Sequence, residues 1–185
     1  MSNNNNHRLG EAPLFHVIVS TGFGTGLIPG GRGTYGGMLA LVIWLVLYFH
    51  LAPMALCVAS IALVVVSFFV GIWTDNVMEK YWGEDPRAVV IDELFGTWIS
   101  VLPALFYVSK DHYAITVAIV GFVMFRLIDI TKPLGCRWID RNIHGGMGCM
   151  LDDALAASYA AMIALLTRYF GVDVIIHDAV SSLWG

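Results

Sequence analysis

The residues of this chain that are best suited to chemistry lie between two hydrophobic segments, in the stretch 126–153. It reads RLIDITKPLGCRWIDRNIHGGMGCMLDD and holds four of the ten Lys and Arg residues of the chain. Its acidic residues are Asp129, Asp140, Asp152 and Asp153. Carboxylates, basic side chains and glycines in one short stretch favour a site that binds a cation together with a phosphate group.

Two acidic pairs lie at the beginnings of hydrophobic segments. Asp92 and Glu93 fall within the first turn or so of one segment, and Asp152 and Asp153 stand at the start of another. An acid this close to a membrane span is costly unless it is paired, hydrated or bound to a metal ion. Capping of the positive N-terminal end of a helix is the simpler interpretation of each pair, although it accounts for one acid better than for two.

Asp129 is the acid that helix capping explains least. It ends a hydrophobic segment, where a carboxylate opposes the helix dipole. Arg126 lies three residues earlier on the same helix face, so an ion pair between the two is the simpler interpretation. The alternative is a metal ion held by carboxylates, a ligand set that suits Mg²⁺ rather than zinc. The predicted ligands are Asp92, Glu93, Asp129, Asp152 and Asp153.

Basic residues supply the other half of the predicted site, because Mg²⁺ in turn implies a phosphorylated substrate. The predicted phosphate-binding residues are Arg32, Lys132, Arg137 and Arg141. Arg32 lies between two glycines, whose backbone N–H groups can approach an anion closely. Arg137 and Arg141 are four residues apart, and anchoring to anionic lipid headgroups is the alternative role for both.

His144 completes the set of predicted catalytic residues, as a proton donor or a phosphate ligand. The full catalytic set is Asp92, Glu93, Asp129 and His144. A lone histidine more often packs or forms a hydrogen bond, which is the alternative here. The chain has no Cys-x5-Arg, Asp-x-Asp or G-x-x-x-x-G-K-[ST] motif, which argues against three common classes of phosphate chemistry.

The composition indicates an integral membrane protein. The chain is 58% hydrophobic and 13% charged, with a mean hydropathy of +0.74. A soluble domain is about 45–50% apolar and about 25% charged. The three cysteines form no CxxC pair, so they indicate neither a disulfide framework nor a zinc site.

The hydrophobic segments predict an all-α, polytopic membrane bundle with about five spans. The predicted spans are 37–49, 54–73, 89–108, 113–128 and 151–169, and Pro103 is expected to kink the third. A short helix over 13–21 and a glycine-rich loop over 22–36 precede them. Residues 1–12 are predicted to be a flexible tail and 13–185 a single membrane-embedded domain, with 172–185 at the membrane interface.

The basic residues predict an orientation in the membrane. With the first glycine-rich loop in the cytoplasm, seven basic residues lie on that face: Arg8, Arg32, Lys80, Arg87, Lys132, Arg137 and Arg141. Only Lys110 and Arg168 lie on the opposite face, in agreement with the positive-inside rule. The same orientation brings the segments 22–36, 75–93 and 129–153 to one face, so the sequence predicts that they form one site.

Three stretches resemble the phosphatidylglycerophosphatase A family: GFGTGLIPGGRGTYGG, DPRAVVIDELFGTWI and FRLIDITKPLGCRWIDRNIHGGMGCMLDDALA. The resemblance covers about residues 15–165. It implies a multi-pass phosphatase of the bacterial cytoplasmic (inner) membrane that requires Mg²⁺. The implied reaction converts phosphatidylglycerophosphate to phosphatidylglycerol and inorganic phosphate in phospholipid biosynthesis, at an active site on the cytoplasmic face. The expected partners are this substrate and membrane lipids, without nucleic acid.

Water or an aspartate is the expected nucleophile, and charge stabilisation by Mg²⁺ and the basic residues is expected to supply most of the catalysis. Two other functions are compatible with a membrane protein of this composition. A CDP-alcohol phosphotransferase would carry a helix motif of two acids, a glycine and an Ala-Arg pair, which this chain lacks. A transporter or ion pathway would distribute its acids through the membrane depth, whereas the middles of these spans are free of charge.

Overall fold

Helices form the part of the chain that the computed structural model describes, which is residues 12–83, 86–110, 112–133 and 135–169. These ranges contain no strand. The predicted tail lies outside the described residues except for Ala12, and the predicted interfacial segment 172–185 lies outside them entirely. The predicted all-α class is confirmed for the described part of the chain.

Seven α-helices and two 3₁₀ segments follow one another along the described chain. The α-helices are α1 Leu14–Ser20, α2 Arg32–His50, α3 Pro53–Trp82, α4 Ile91–Val101, α5 His112–Thr131, α6 Cys136–Asn142 and α7 Gly145–Tyr169. The 3₁₀ segments are Thr25–Leu27 and Leu102–Lys110. Five segments are long and apolar enough to cross a membrane: Arg32–His50, Pro53–Trp82, Ile91–Val108, Tyr113–Thr131 and Gly145–Thr167. The predicted five-span bundle is therefore confirmed.

Several helices extend beyond the predicted apolar spans. The α3 helix continues to Trp82, through residues predicted to be a polar connection, and α2 begins at Arg32, inside the predicted glycine-rich loop. Hydropathy marks where a helix crosses hydrocarbon, whereas the helix itself can continue into polar surroundings. The third span changes from α to 3₁₀ at Leu102, beside Pro103, and this is the disruption that the proline predicts.

The last span begins earlier than its sequence predicts. The α7 helix starts at Gly145 and not at Leu151, and α6 lies within the predicted loop 130–150. The N–H of Gly146 donates a hydrogen bond of 2.9 Å to Oδ1 of Asn76 on α3. A helix start that is capped by another helix leaves no signal in the local sequence, and this explains the error.

The α4 helix is the centre of the bundle. It packs against α2, α3, α5 and α7, and its span is the most buried of the five. The α4 helix lies close to its neighbours. The Trp98 indole donates a hydrogen bond to the carbonyl of Ala40 on α2. Gly96 contacts the ring of Phe125 on α5 so closely that a Cβ at this position would overlap the ring. This central position carries the first turn of α4, with Asp92 and Glu93, into the interior of one end of the bundle.

Candidate active site and metal centre

The three segments that the sequence groups together meet at one end of the bundle. The N–H of Val90 donates to the carbonyl of Ser20, at the end of α1, and this bond holds the start of the first segment beside the start of α4. Gly33 contributes a second contact, because a Cβ there would overlap the side chains of Glu93 and Arg126. The bond between Gly146 and Asn76 brings the beginning of α7 to the same region as the end of α3.

Three carboxylates form the densest part of this region. Asp129 lies near the end of α5, and Asp152 and Asp153 lie in the early part of α7, the helix that packs against α5. One carboxylate oxygen from each lies within 4.8 Å of the others. Asp152 and Asp153 are each only 4% exposed. Like charges this close and this buried repel strongly unless a cation or a proton compensates them.

Lys132 brings a positive charge to one member of the cluster. The Nζ of Lys132 lies 2.6 Å from Oδ2 of Asp152. Lys132 follows α5 with φ of 43°, a left-handed conformation that a residue with a side chain adopts at a cost of about 1 kcal/mol. The Oδ2 of Asp153 is buried and has no hydrogen-bond partner among the described residues. Three carboxylates, one of which also has a buried oxygen without a hydrogen-bond partner, are a ligand set that fits Mg²⁺.

Arg126 holds two of the acids in an ion-pair network. Its Nη1 pairs with Oε2 of Glu93 on α4 and lies 3.2 Å from Oδ2 of Asp129, one turn along its own helix. The side chains of Arg126 and Glu93 are only 12% and 14% exposed. Asp129 therefore makes the ion pair with Arg126 that the simpler interpretation predicts, and it also belongs to the carboxylate cluster.

Asp92 and Glu93 lie beside the three-carboxylate cluster. The Oδ1 of Asp92 accepts the Glu93 backbone N–H at 2.9 Å within the first turn of α4, whose N-cap residue, Val90, makes no side-chain capping bond. Its Oδ2 accepts the Cys149 thiol, also at 2.9 Å. Asp153 interacts electrostatically with Asp92, Glu93, Asp129 and Asp152. All five predicted acids thus share one region, and which of them bind metal stays a prediction.

The predicted phosphate-binding residues lie around this end of the bundle with more exposed side chains. Arg32 is the first residue of α2, adjacent to the Gly33 contact with Glu93. Arg137 is exposed on α6 and its Nη2 lies 3.4 Å from the carbonyl of Thr131. Arg141 is exposed in the last turn of α6, and His144 is exposed just before α7. Their roles remain predictions.

The sequence did not single out Asp75, Asn76 or Cys149 as residues of this region. Asp75 on α3 is buried, and it acts electrostatically on Cys149 together with Asp92 and Asp153. Asn76 caps the start of α7. An acid at the end of a long apolar segment was a usable signal for Asp75, whereas a lone cysteine carries no comparable signal.

Cys136 lies under the cluster as a neutral packing residue. It is fully buried and packs with Phe125 and small residues of α7. Burial, followed by the negative charge of Asp152, raises the pKa of the Cys136 thiol above its usual value. The thiol therefore stays protonated at neutral pH, which argues against a thiolate ligand here.

The hydrogen bond from Cys149 to Asp92 leads to a test of how the acids are positioned. Cys149→Ala removes the donor from a partly buried carboxylate oxygen of Asp92, so we expect kcat to fall by about tenfold. Cys149→Ser keeps a donor and should retain most of the activity. Cys57→Ala, in the apolar part of α3, serves as the control for losing a thiol. Equal activity of the Ala and Ser variants would show that the bond does not position Asp92.

Comparisons with known proteins give consistent matches. The family model described as phosphatidylglycerophosphatase A matches residues 18–168. Proteins named phosphatidylglycerophosphatase A from Escherichia coli and Haemophilus influenzae are 34% and 30% identical to the chain, over 78% and 83% of this chain and 78% and 88% of their own. A Bacteroides thetaiotaomicron protein, provisionally named a phosphatidylinositol-3-phosphatase, is 44% identical over 83% of this chain and 93% of its own. No solved structure gives a significant match.

Proposed function

The chain belongs to the phosphatidylglycerophosphatase A family, and on this premise we propose that it hydrolyses the terminal phosphate monoester of phosphatidylglycerophosphate. The products are phosphatidylglycerol and inorganic phosphate. The observation that carries the proposal at the level of the site is the cluster of Asp129, Asp152 and Asp153 at one end of a membrane bundle. A lipid headgroup can reach such a site while its acyl chains stay in the bilayer.

We propose that Asp129, Asp152 and Asp153 hold Mg²⁺, with Asp92 and Glu93 completing the negative site. The orphaned Oδ2 of Asp153 supports this assignment, because a buried carboxylate oxygen needs a partner. When bound, Mg²⁺ would supply positive charge beside the phosphate oxygens and so favour the charge that develops during hydrolysis.

Other residues of the chain are proposed to bind the phosphate, to donate a proton and to position the acids. Lys132, Arg32, Arg137 and Arg141 are proposed to bind and orient the phosphate oxygens. Water attacks phosphorus, the bond from phosphorus to the glycerol oxygen breaks, and that oxygen takes up a proton; one hydrogen of the water stays on the inorganic phosphate and the other restores the proton donor. His144, exposed before α7, is the proposed donor of this proton. Arg126 keeps Glu93 and Asp129 in place, and Cys149 does the same for Asp92.

The proposed location is the bacterial cytoplasmic membrane, with the acids on the cytoplasmic face. Five membrane-length helices support a membrane protein, and the excess of basic residues at the site end supports this orientation. A pathway role in phospholipid biosynthesis follows from the proposed products.

A second substrate is favoured by one specific observation. The Bacteroides thetaiotaomicron relative carries a name that specifies phosphatidylinositol 3-phosphate. Both lipids present a phosphate monoester on a polyol headgroup. In the proposed site the carboxylate cluster acts, through Mg²⁺, on the phosphate and not on the rest of the headgroup. The two candidates therefore share the chemistry and differ in the headgroup that the site must accommodate.

Phosphate release from lipid vesicles tests the proposal. Purified full-length protein is incubated with phosphatidylglycerophosphate, phosphatidylinositol 3-phosphate or phosphatidic acid, each with Mg²⁺ and with EDTA. We expect release that requires Mg²⁺ and is greatest for phosphatidylglycerophosphate. A preference for phosphatidylinositol 3-phosphate would establish the second candidate. Equal release in EDTA would refute the metal assignment, and no release from any of the three would refute the phosphatase proposal.

A further inference from the structure

The segment 14–28, which we call the ledge, exposes apolar side chains outside the five spans. Its exposed members are Leu14, Phe15, Ile18, Phe23, Leu27 and Ile28. No Asp, Glu, Lys or Arg occurs between Ala12 and Gly31, and His16, the one histidine of this stretch, is buried. Exposed apolar surface gathered in one uncharged segment marks contact with a protein or with lipid.

The ledge lies directly beside the acidic site. The carbonyl of Ser20 accepts the Val90 N–H at 2.8 Å, and Asp92 follows two residues later. A Cβ on Gly22 would come within 3.2 Å of the Val90 side chain, and a Cβ on Gly26 would overlap the Ala88 carbonyl. The ledge is therefore packed against the residues that lead into α4.

Trp73 indicates the depth at which the ledge lies. Phe15 and His16 of α1 pack against Trp73 of α3, with ring centroids 5.8 and 4.7 Å away. The outer surface of α3 is apolar up to the exposed Trp73 and becomes polar at the exposed Asn76. Tryptophan is enriched where hydrocarbon meets headgroups, and this change of surface is the pattern expected of a helix that leaves the membrane. The helix also has 30 residues, about 45 Å, and extends well beyond ~30 Å of hydrocarbon.

Phe23 is the most unusual residue of the ledge. Its side chain is 74% exposed, and its φ is 56°. A bulky residue rarely adopts this left-handed conformation, which glycine or asparagine accepts more readily. An exposed phenylalanine held at a backbone cost indicates that its ring has a role outside the fold itself.

We propose that the ledge lies at the membrane surface and holds the acyl chains of the lipid substrate beside the acidic site. The proposal rests on the proposed function for the identity of that lipid. Lipid is favoured over a second copy of the chain because the ledge continues the apolar outer surface of α3 at Trp73. The headgroup of a lipid held there would point towards Asp92 and its neighbours.

Phe23→Asn tests the proposal with little risk to folding, because asparagine accepts the left-handed backbone of this position. Activity is measured on long-chain phosphatidylglycerophosphate in vesicles and on a short-chain, water-soluble form with the same headgroup. We expect kcat/KM for the long-chain lipid to fall by about five- to tenfold, and that for the soluble form to change by less than about twofold. Phe49→Asn is the matched control, since Phe49 is 68% exposed at the opposite end of α2 and should affect neither substrate.

Other outcomes would overturn the proposal. An equal loss on both substrates would show that Phe23 supports the site itself, and no loss on either would remove the ledge from substrate binding. A change from dimer to monomer in Phe23→Asn would make the ledge a subunit interface. If the unchanged protein hydrolyses neither substrate, the proposed function has failed. The depth of the ledge in the membrane, measured without enzymatic activity, then tests its placement at the membrane surface.

Spin labels measure that depth without any enzymatic activity. Phe23→Cys and Lys80→Cys are labelled in lipid nanodiscs, where the native cysteines contribute the same background to both variants. We expect the label at position 23 to be more accessible to oxygen and the label at position 80 to a water-soluble nickel chelate. Chelate accessibility at position 23 equal to that at position 80 would place the ledge in water and overturn the proposal.

Discussion

Asp153→Asn is expected to reduce kcat by about 10²- to 10³-fold while leaving the protein folded. The amide has the shape of the carboxylate but removes a negative charge from a buried position whose Oδ2 has no hydrogen-bond partner among the described residues. Because Asp153 interacts with four other acids, losing its charge also relieves repulsion and should not weaken the fold. Phosphate release and thermal unfolding in detergent measure the two effects.

Mg²⁺ itself provides a readout that does not depend on turnover. A ligand that binds only the folded protein raises the unfolding temperature. We expect Mg²⁺ to raise it in the unchanged protein and to have little effect in Asp153→Asn. Glu79→Gln, an acid of α3 outside the five, is the control and should retain the Mg²⁺ response. If Asp153→Asn keeps both the response and the activity, Asp153 is not a metal ligand.

Arg126→Met is expected to destabilise the protein by about 3–5 kcal/mol, because it leaves a buried carboxylate without its cation. Arg126 pairs with both Glu93 and Asp129, and the pair with Glu93 is mostly buried. Truncating one partner of a buried ion pair costs more than the pair contributes, since the remaining charge is stranded. The free energy of unfolding, measured by denaturant titration in detergent, should fall accordingly.

A double-mutant cycle separates the ion pair from the packing of the Arg126 side chain. Adding Glu93→Gln to Arg126→Met removes the stranded charge and should recover a substantial part of the lost stability. Lys80→Met, at an exposed position on α3, should change stability by less than about 0.5 kcal/mol. If the two substitutions at Arg126 and Glu93 are simply additive, the pair does not hold the site together.

Much of the fold was predictable because membrane insertion depends on local composition. An apolar segment of sufficient length is favoured in hydrocarbon wherever it lies in the chain, so summing hydropathy along the sequence identified all five spans. The helix ends were less predictable, because they depend on partners elsewhere. The start of α7 relies on a hydrogen bond from Gly146 to Asn76, which is 70 residues earlier in the chain.

The five acids that the structure brings into one region could also be singled out from the sequence, because a carboxylate beside an apolar span has a high free-energy cost that demands an explanation; their roles stay predictions. That argument identified all five, including Asp129 at the unfavourable end of its helix. It overlooked the buried Asp75, because a single acid at the end of an apolar segment is also what is expected where a span simply leaves the membrane.

The sequence by itself thus determined the class, the spans and the residues with chemical capacity in the stretch 126–153, since each follows from local composition. Only the tertiary structure decided how those residues are paired. Arg126 reaches Glu93 across 33 positions and Cys149 reaches Asp92 across 57, and such distant pairs leave no periodic pattern in a single sequence. Packing around α4 brings them together and leaves Asp129, Asp152 and Asp153 as the cluster best placed for a cation.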